Sequence, residues 1–266
     1  MALTDYKRIE YIEAQKVGGV CSYINTGIKP TRYYSIFGIF TFDISSLTGN
    51  AYLFGVYDGT RNYSLYYSYP DIEYRFKYST RSAITLKPLN TLFGDSDIFN
   101  GGWGISIAEN QCDGAMYSFD EDADPFIYLS GTTTIPGSAT NSTKNLYVLC
   151  RNNNGTAGNF AIGSRCYELI ITNAYNNDEV VAHFYPVREK TGLTPKVGLY
   201  DIISNTVFWS ATTTNFLAGP DLSAANIYIK AGGSWYSGIP YIKVNGSWEE
   251  ASDVYIKASG SWESSV

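Results

Sequence analysis

The chain has 266 residues, of which 44% are hydrophobic and 17% are charged, and its formal net charge is −6. This apolar content excludes an intrinsically disordered chain and is sufficient for a sizeable core. Because the net charge is negative and the sequence has no run of basic residues, we expect neither nucleic acid nor an anionic membrane as a partner.

The N-terminal residues 1–14 have neither a basic start followed by an apolar stretch nor a small-residue cleavage site. We therefore expect a mature start without an export signal. Elsewhere, no segment approaches the roughly 18 uninterrupted apolar residues that a membrane helix requires.

Apolar and polar residues alternate along most of the chain, which is typical of half-buried antiparallel strands. Residues 73–78 are the clearest example, with three aromatic residues on one face and three charged residues on the other. Similar runs, separated by clusters of Gly, Asn, Asp and Pro, occur at residues 35–43, 51–56, 64–69, 126–130, 146–150, 165–172, 180–185 and 197–200. No amphipathic helix is predicted. The pattern favours an all-β fold, an antiparallel two-sheet sandwich of the jelly-roll type.

Residues 95–108 contain the sequence Gly-Gly-Trp-Gly, which predicts an insertion that projects from a sheet. Glycines on both sides of Trp103 would lift its ring onto a loop. Carbohydrate binding normally uses such an exposed aromatic face, so Trp103 is the candidate glycan-binding residue. The alternative is a core tryptophan, which is commoner in β-sandwiches.

Residues 120–124 alternate acidic side chains, which makes Asp120, Asp122 and Asp124 candidate calcium ligands. The segment lacks the glycine and the terminal glutamate of an EF-hand loop, and it has Pro125 where the turn should be. The alternative is a solvated acidic loop. We expect no cofactor, with calcium as the one candidate ion.

The four cysteines have no short paired spacing, and we expect them to be reduced thiols. Cys150 and Cys166 flank a turn region and are the one pair that could face each other across paired strands. Zinc is not expected, because the chain has a single histidine and no Cys-x-x-Cys motif.

The C-terminal residues repeat one phrase three times, with Tyr-Ile-Lys before a turn and Gly-Ser-Trp after it. The Asn245-Gly246 pair is a strong signal for a two-residue hairpin turn. The alternating pattern lapses at residues 219–225, so we predict a jelly-roll domain at residues 1–221 and a hairpin-repeat tail at residues 222–266.

Each repeat is too short to cover its own large aromatic residues. The covering surface could be the other repeats, the main domain, another virion protein or the same tail on other subunits. We expect a homo-oligomer, specifically a trimer, with Lys230, Lys243 and Lys257 at its surface. The aromatic residues expected to be buried in it are Tyr228, Trp235, Tyr241, Trp248, Tyr255 and Trp262.

Three parts of the main domain together resemble a family of concanavalin A-like, laminin-G-like jelly rolls that recur in phage virion proteins and gut-bacterial surface proteins. The family's opening strand pair is similar to Ile-Glu-Tyr-Ile-Glu at 9–13 with Tyr-Ile-Asn-Thr-Gly-Ile at 23–28. Its central hairpin is similar to Arg-Asn-Asn-Asn-Gly-Thr at 151–156 with Arg-Cys-Tyr-Glu-Leu at 165–169. Its closing segment is similar to His-Phe-Tyr-Pro-Val-Arg at 183–188 with Val-Gly-Leu-Tyr-Asp at 197–201 and Phe-Leu-Ala-Gly at 216–219. The resemblance implies a fold but no single activity.

The C-terminal repeats resemble short units found at the ends of phage structural proteins. That resemblance implies a virion structural protein, made in the host bacterial cytoplasm, that serves as a fibre, tail-associated or capsid-decorating component beside other virion proteins. The alternative is a module that binds a host-surface glycan, either a receptor-recognition protein or a bacterial surface adhesin.

Catalysis is not expected. Glucanases of this fold carry a Glu-x-Asp-x-x-Glu strand that places two carboxylates beside the scissile bond, and that spacing does not occur here. Glu73 and Glu168 are instead predicted to be solvated strand residues. The single histidine, His183, precedes Pro186 on a strand and has no Ser-His-Asp arrangement around it.

Overall fold

The structure is a computed structural model. The residues that it describes are 6–43, 47–69, 71, 73–88, 98–108, 111–118, 127–135, 141–222, 227–231, 234–238, 241–244, 247–250, 255–258 and 261–264. All regular structure within these residues is β-strand, which confirms the predicted all-β class. A membrane-spanning helix is likewise not found in this part of the chain.

The strands are short in the N-terminal part and longest near the middle of the chain. In chain order the first fourteen are β1 (Tyr6–Arg8), β2 (Ile12–Glu13), β3 (Lys16–Val17), β4 (Val20–Cys21), β5 (Ile24–Asn25), β6 (Tyr34–Asp43), β7 (Ala51–Tyr57), β8 (Asn62–Ser68), β9 (Glu73–Ser79), β10 (Ile84–Thr85), β11 (Lys87–Pro88), β12 (Ile98–Ala108), β13 (Gln111–Ser118) and β14 (Ile127–Thr134). They are followed by β15 (Tyr147–Val148), β16 (Arg151–Asn153), β17 (Thr156–Gly158), β18 (Arg165–Asn173), β19 (Glu179–Glu189), β20 (Val197–Asp201), β21 (Thr206–Trp209), β22 (Leu217–Ala218), β23 (Ile227–Ala231), β24 (Ser234–Gly238), β25 (Tyr241–Val244), β26 (Ser247–Glu250), β27 (Tyr255–Ala258) and β28 (Ser261–Ser264).

Two large sheets contain most of these strands. The twelve-stranded sheet has the order β11-β14-β13-β12-β6-β18-β19-β20-β21, with β1, β2 and β22 at its side. The eight-stranded sheet has the order β10-β9-β8-β7-β15-β5, with β16 and β17 attached. The strands named above pair antiparallel, except that β16 and β7 are parallel. Antiparallel sheets commonly bury one face only, but β7 and β8 of the eight-stranded sheet are buried on both faces.

The inner faces of the two sheets pack on each other through aromatic rings. Phe42 of β6 lies 6.3 Å from Tyr67 and 5.8 Å from Tyr74, measured between ring centroids, and those tyrosines belong to β8 and β9 of the opposite sheet. Phe40 similarly meets Phe54 across the interface. These contacts make the arrangement sandwich-like, with the core between the sheets.

All four cysteines are free thiols in the structure, and all four are buried. Cys150 and Cys166 are not joined. Burial raises the pKa of the Cys112 and Cys150 thiols above the usual value, so these groups are poor nucleophiles.

The chain divides into two compact units, Met1–Gly219 and Pro220–Val266. Within the second unit, β23 pairs with β24, β25 with β26 and β27 with β28, each as a separate antiparallel two-stranded sheet. The residues that connect the strands of each pair lie outside the described part of the chain.

Candidate functional site

The three two-stranded sheets of the C-terminal unit share one register. Lys230 lies opposite Trp235, Lys243 opposite Trp248, and Lys257 opposite Trp262. In each pair the register leaves two residues between the strands. The repeated phrase therefore corresponds to one repeated backbone unit.

This register determines which residues share a face. Residues directly opposite each other lie on the same face of an antiparallel pair, and so do residues two apart along a strand. Tyr228, Lys230 and Trp235 consequently share a face, and Ile229 lies on the other. The second and third repeats place Tyr241, Lys243 and Trp248, and Tyr255, Lys257 and Trp262, in the same way. The side chains of these residues are outside the described part of the structure.

Trp103 is not a surface residue, so the prediction of an exposed ring on a loop is wrong. It lies in the long strand β12, its exposed fraction is 0%, and its ring packs between Phe42 and Tyr74 at centroid distances of 5.9 and 5.0 Å. The flanking glycines belong to the strand instead of a projecting loop. A fully buried ring has no face for a sugar, so Trp103 is a core residue.

The candidate calcium ligands Asp120, Asp122 and Asp124 lie outside the described residues. Within the described residues, no group of three or more His, Cys, Asp and Glu side chains is arranged to hold a metal ion.

Glu73 and Glu168 lie on different sheets and do not form a catalytic pair. Glu73, on β9, accepts hydrogen bonds from Arg75 and Thr85.

Glu168, on β18, has an oxygen 2.5 Å from Nε2 of His183. Tyr185 also hydrogen-bonds to Glu168, and burial followed by this negative charge raises the Tyr185 pKa. The guanidinium of Arg8 covers the Tyr185 ring at 4.1 Å. These side-chain contacts connect β18, β19 and β1 on the outer face of the twelve-stranded sheet.

The outer face of the eight-stranded sheet carries a second polar cluster, which we call the cation–tyrosine face. Cross-strand pairing aligns Tyr52, Tyr66 and Arg75 in one row and Gly55, Ser64 and Lys77 in the next. Their neighbours along the strands point the other way, into the core. The face is defined by Tyr52, Tyr66, Arg75, Lys77 and Arg151.

Tyr52 and Tyr66 lie stacked, with ring centroids 4.5 Å apart and planes within 9°. Arg151 covers the Tyr52 ring at 4.9 Å and donates from Nη1 to the Tyr52 hydroxyl at 3.1 Å. Burial raises the pKa of Tyr52 to about 12 despite the nearby Arg151 charge, so the phenol stays protonated. The stack therefore holds the guanidinium in a fixed position.

Gly55 makes this arrangement sterically feasible. A Cβ atom at Gly55 would lie 2.9 Å from Cδ1 of Tyr52 and 3.2 Å from Cγ of Arg151. The first distance is shorter than real Cβ contacts and the second is tighter than most, so glycine lets the ring and the arginine stem lie flat on the sheet.

The cations of this face differ in their partners. Arg75 forms ion pairs with Glu73 at 2.6 Å and Asp71 at 2.9 Å. Neither Arg151 nor Lys77 has a carboxylate partner among the described residues, and the buried Nε of Arg151 has no hydrogen-bond partner there. Burial lowers the pKa of Lys77, and the charges of Arg151 and Arg75 lower it further.

Sequence reasoning did not find this cluster. The alternation in residues 73–78 places Arg75 and Lys77 outward, but it does not show that Arg151, far along the chain, lies on the same face. The parallel pairing of β16 with β7 brings Arg151 there.

No protein-family model matches this chain, and no curated protein matches it in sequence.

Proposed function

We propose that the protein is a bacteriophage virion structural protein, a fibre, tail-associated or capsid-decorating component made in the host cytoplasm. Residues 1–221 are a concanavalin A-like jelly roll that is displayed, and residues 222–266 are a hairpin-repeat tail that assembles the subunits. The observation that carries the proposal is the shared register of the three two-stranded sheets in the C-terminal unit.

An isolated two-stranded sheet is only marginally stable in water. Within the described residues each sheet also has two unpaired strand edges, and such edges are templates for further pairing. Three repeats with Tyr, Lys and Trp on one face thus present three similar surfaces that need a partner. Burying one large apolar side chain contributes roughly 1.5–3 kcal/mol, so covering these faces would stabilise an assembly substantially.

A second copy of the same tail is the partner that best fits a repeated surface, because closed rings of identical subunits are the common form of homo-oligomers. The proposed assembly is a trimer. Since the lysines share a face with the aromatic residues, their stems would lie along the covered face and their charged ends would reach its rim. The function of the protein in this proposal is assembly and display, without catalysis.

The alternative function is recognition of a host-surface glycan. The candidate glycan-binding residue, Trp103, is buried and cannot contact a glycan.

Imaging of purified phage particles with a label on this chain tests the proposal. The label is expected at regular positions on the tail, fibres or capsid. Particles that carry no label, although the infected cells contain the protein, would contradict it.

A further inference from the structure

Arg151 and Lys77 are two cations on one face with no carboxylate partner among the described residues, in a chain whose formal net charge is −6. The chain has no excess of basic residues that would leave two neighbouring cations without carboxylate partners. We propose that the cation–tyrosine face binds a phosphate group, free or carried on a saccharide, between Arg151 and Lys77. This site is independent of the assembly proposed above.

Arg151 is suited to this role because its position is already fixed. The hydrogen bond to Tyr52 and the stacking on its ring hold the guanidinium before any ligand arrives. A guanidinium presents several N–H donors in a plane and matches phosphate oxygens well. A donor group that is held in place loses little conformational freedom on binding.

Lys77 supplies the second charge from across the sheet. It is paired with Ser64, which is paired in turn with Gly55, where the Arg151 stem crosses. Arg151 lies on β16, beyond β7, so its backbone is three strand spacings from that of Lys77, or about 14 Å. The Arg151 stem covers part of this distance where it crosses Gly55. The Ser64 hydroxyl already donates to Oδ1 of Asn62 at 2.6 Å, so Lys77 is the donor that this row offers to an anion.

The distribution of charges on this face favours an anion between Arg151 and Lys77. Arg75 is paired with two carboxylates, Glu73 and Asp71, so the three cations and two carboxylates leave one positive charge in excess. Arg151 and Lys77 are the two cations that remain free to contact different oxygens of one phosphate. Since desolvation and the neighbouring arginines disfavour the charged form of Lys77, a bound dianion would offset both effects.

Calorimetric titration of the full chain at pH 7 and constant ionic strength tests this proposal. The probes are inorganic phosphate, glucose 6-phosphate and glucose. The variants are Lys77→Gln, Arg151→Lys, which keeps the charge but removes the planar fork, and Lys190→Gln, which changes an exposed lysine as a control.

We expect the wild type and Lys190→Gln to bind both phosphates and not glucose. Lys77→Gln and Arg151→Lys should each weaken phosphate binding about tenfold or more, because the first removes a charge-assisted hydrogen bond and the second removes the bidentate geometry of the guanidinium. Tighter binding of glucose 6-phosphate than of inorganic phosphate would identify a phosphorylated saccharide as the source, and equal affinity would identify the free anion. Absence of phosphate binding by the wild type, or equal affinity in Lys77→Gln and Lys190→Gln, would overturn the proposal.

Discussion

Trp103 fills the space between Phe42 and Tyr74, and its buried indole N–H has no hydrogen-bond partner among the described residues. We predict that Trp103→Ala lowers the free energy of unfolding by about 3–5 kcal/mol, the usual cost of truncating a buried large aromatic residue. Trp103→Phe keeps a ring and removes the unpaired N–H, so it should cost clearly less. Urea unfolding followed by far-UV circular dichroism measures both values. A loss below about 1 kcal/mol for Trp103→Ala would show that the ring is not in the core.

Asp58 is a second residue whose environment gives a measurable consequence. Its side chain is only 1% exposed and accepts hydrogen bonds from the backbone N–H groups of Thr60, Arg61 and Thr143. Burial alone would raise the carboxyl pKa, but these hydrogen bonds and Arg61 outweigh burial, so the pKa lies below its usual value. The carboxylate therefore joins the turn after β7 to the segment before β15.

Because the folded-state pKa of Asp58 is depressed, its stabilising contribution is present above the unfolded-state pKa of about 4. That contribution is lost as the pH falls through the folded-state value. We predict that Asp58→Asn costs about 1–3 kcal/mol at pH 7 and makes stability fall less steeply below about pH 4 than in the wild type. Urea midpoints measured across pH test this, with Asp178→Asn as an exposed control. Parallel pH profiles for Asp58→Asn and wild type would contradict the assignment.

Among the strands, β13 packs closely against the opposite sheet at Gly114, which lacks a side chain. A Cβ atom at Gly114 of β13 would lie 2.3 Å from Cδ1 of Phe76, which belongs to β9 of the opposite sheet. We predict that Gly114→Ala destabilises the domain by about 1–3 kcal/mol, because overpacking displaces a fully buried ring. Gly158→Ala, on β17, is the matched control, since its Cβ would meet nothing within 4 Å. Thermal unfolding of both variants tests the packing, and equal stabilities would count against it.

The alternating pattern predicted several elements from sequence, while glycine-rich segments were misread. Residues 73–78 alternate strictly, and β9 occupies them with its aromatic side facing the core. Strand β12 was missed because its glycines resemble turn signals. One of them, Gly104, is needed for packing, since its Cβ would lie 2.8 Å from Cδ2 of Phe37. Such a close approach between distant segments leaves no local sequence signal.

The cation–tyrosine face shows the same limit. Its members come from β7, β8, β9 and β16, and only the pairing of these strands brings them together. Periodicity indicates that Lys77 points outward, but it cannot show which distant residues share that face.

The division of the chain after Gly219 separates the large β-sheet unit from the repeats. The repeated phrase predicted three strand pairs, because a two-residue turn fixes the register of the strands that flank it. The same register places the lysines opposite the tryptophans, which the phrase by itself did not make obvious.

We expect the C-terminal repeats to assemble the chain into a homotrimer. Size-exclusion chromatography with light scattering on the full chain measures this oligomeric state. The expected mass is three times the 29.4 kDa of one chain, and truncation following Asp221 should leave a folded monomer. A full-length chain that elutes as a folded monomer at micromolar concentration would rule out the trimer.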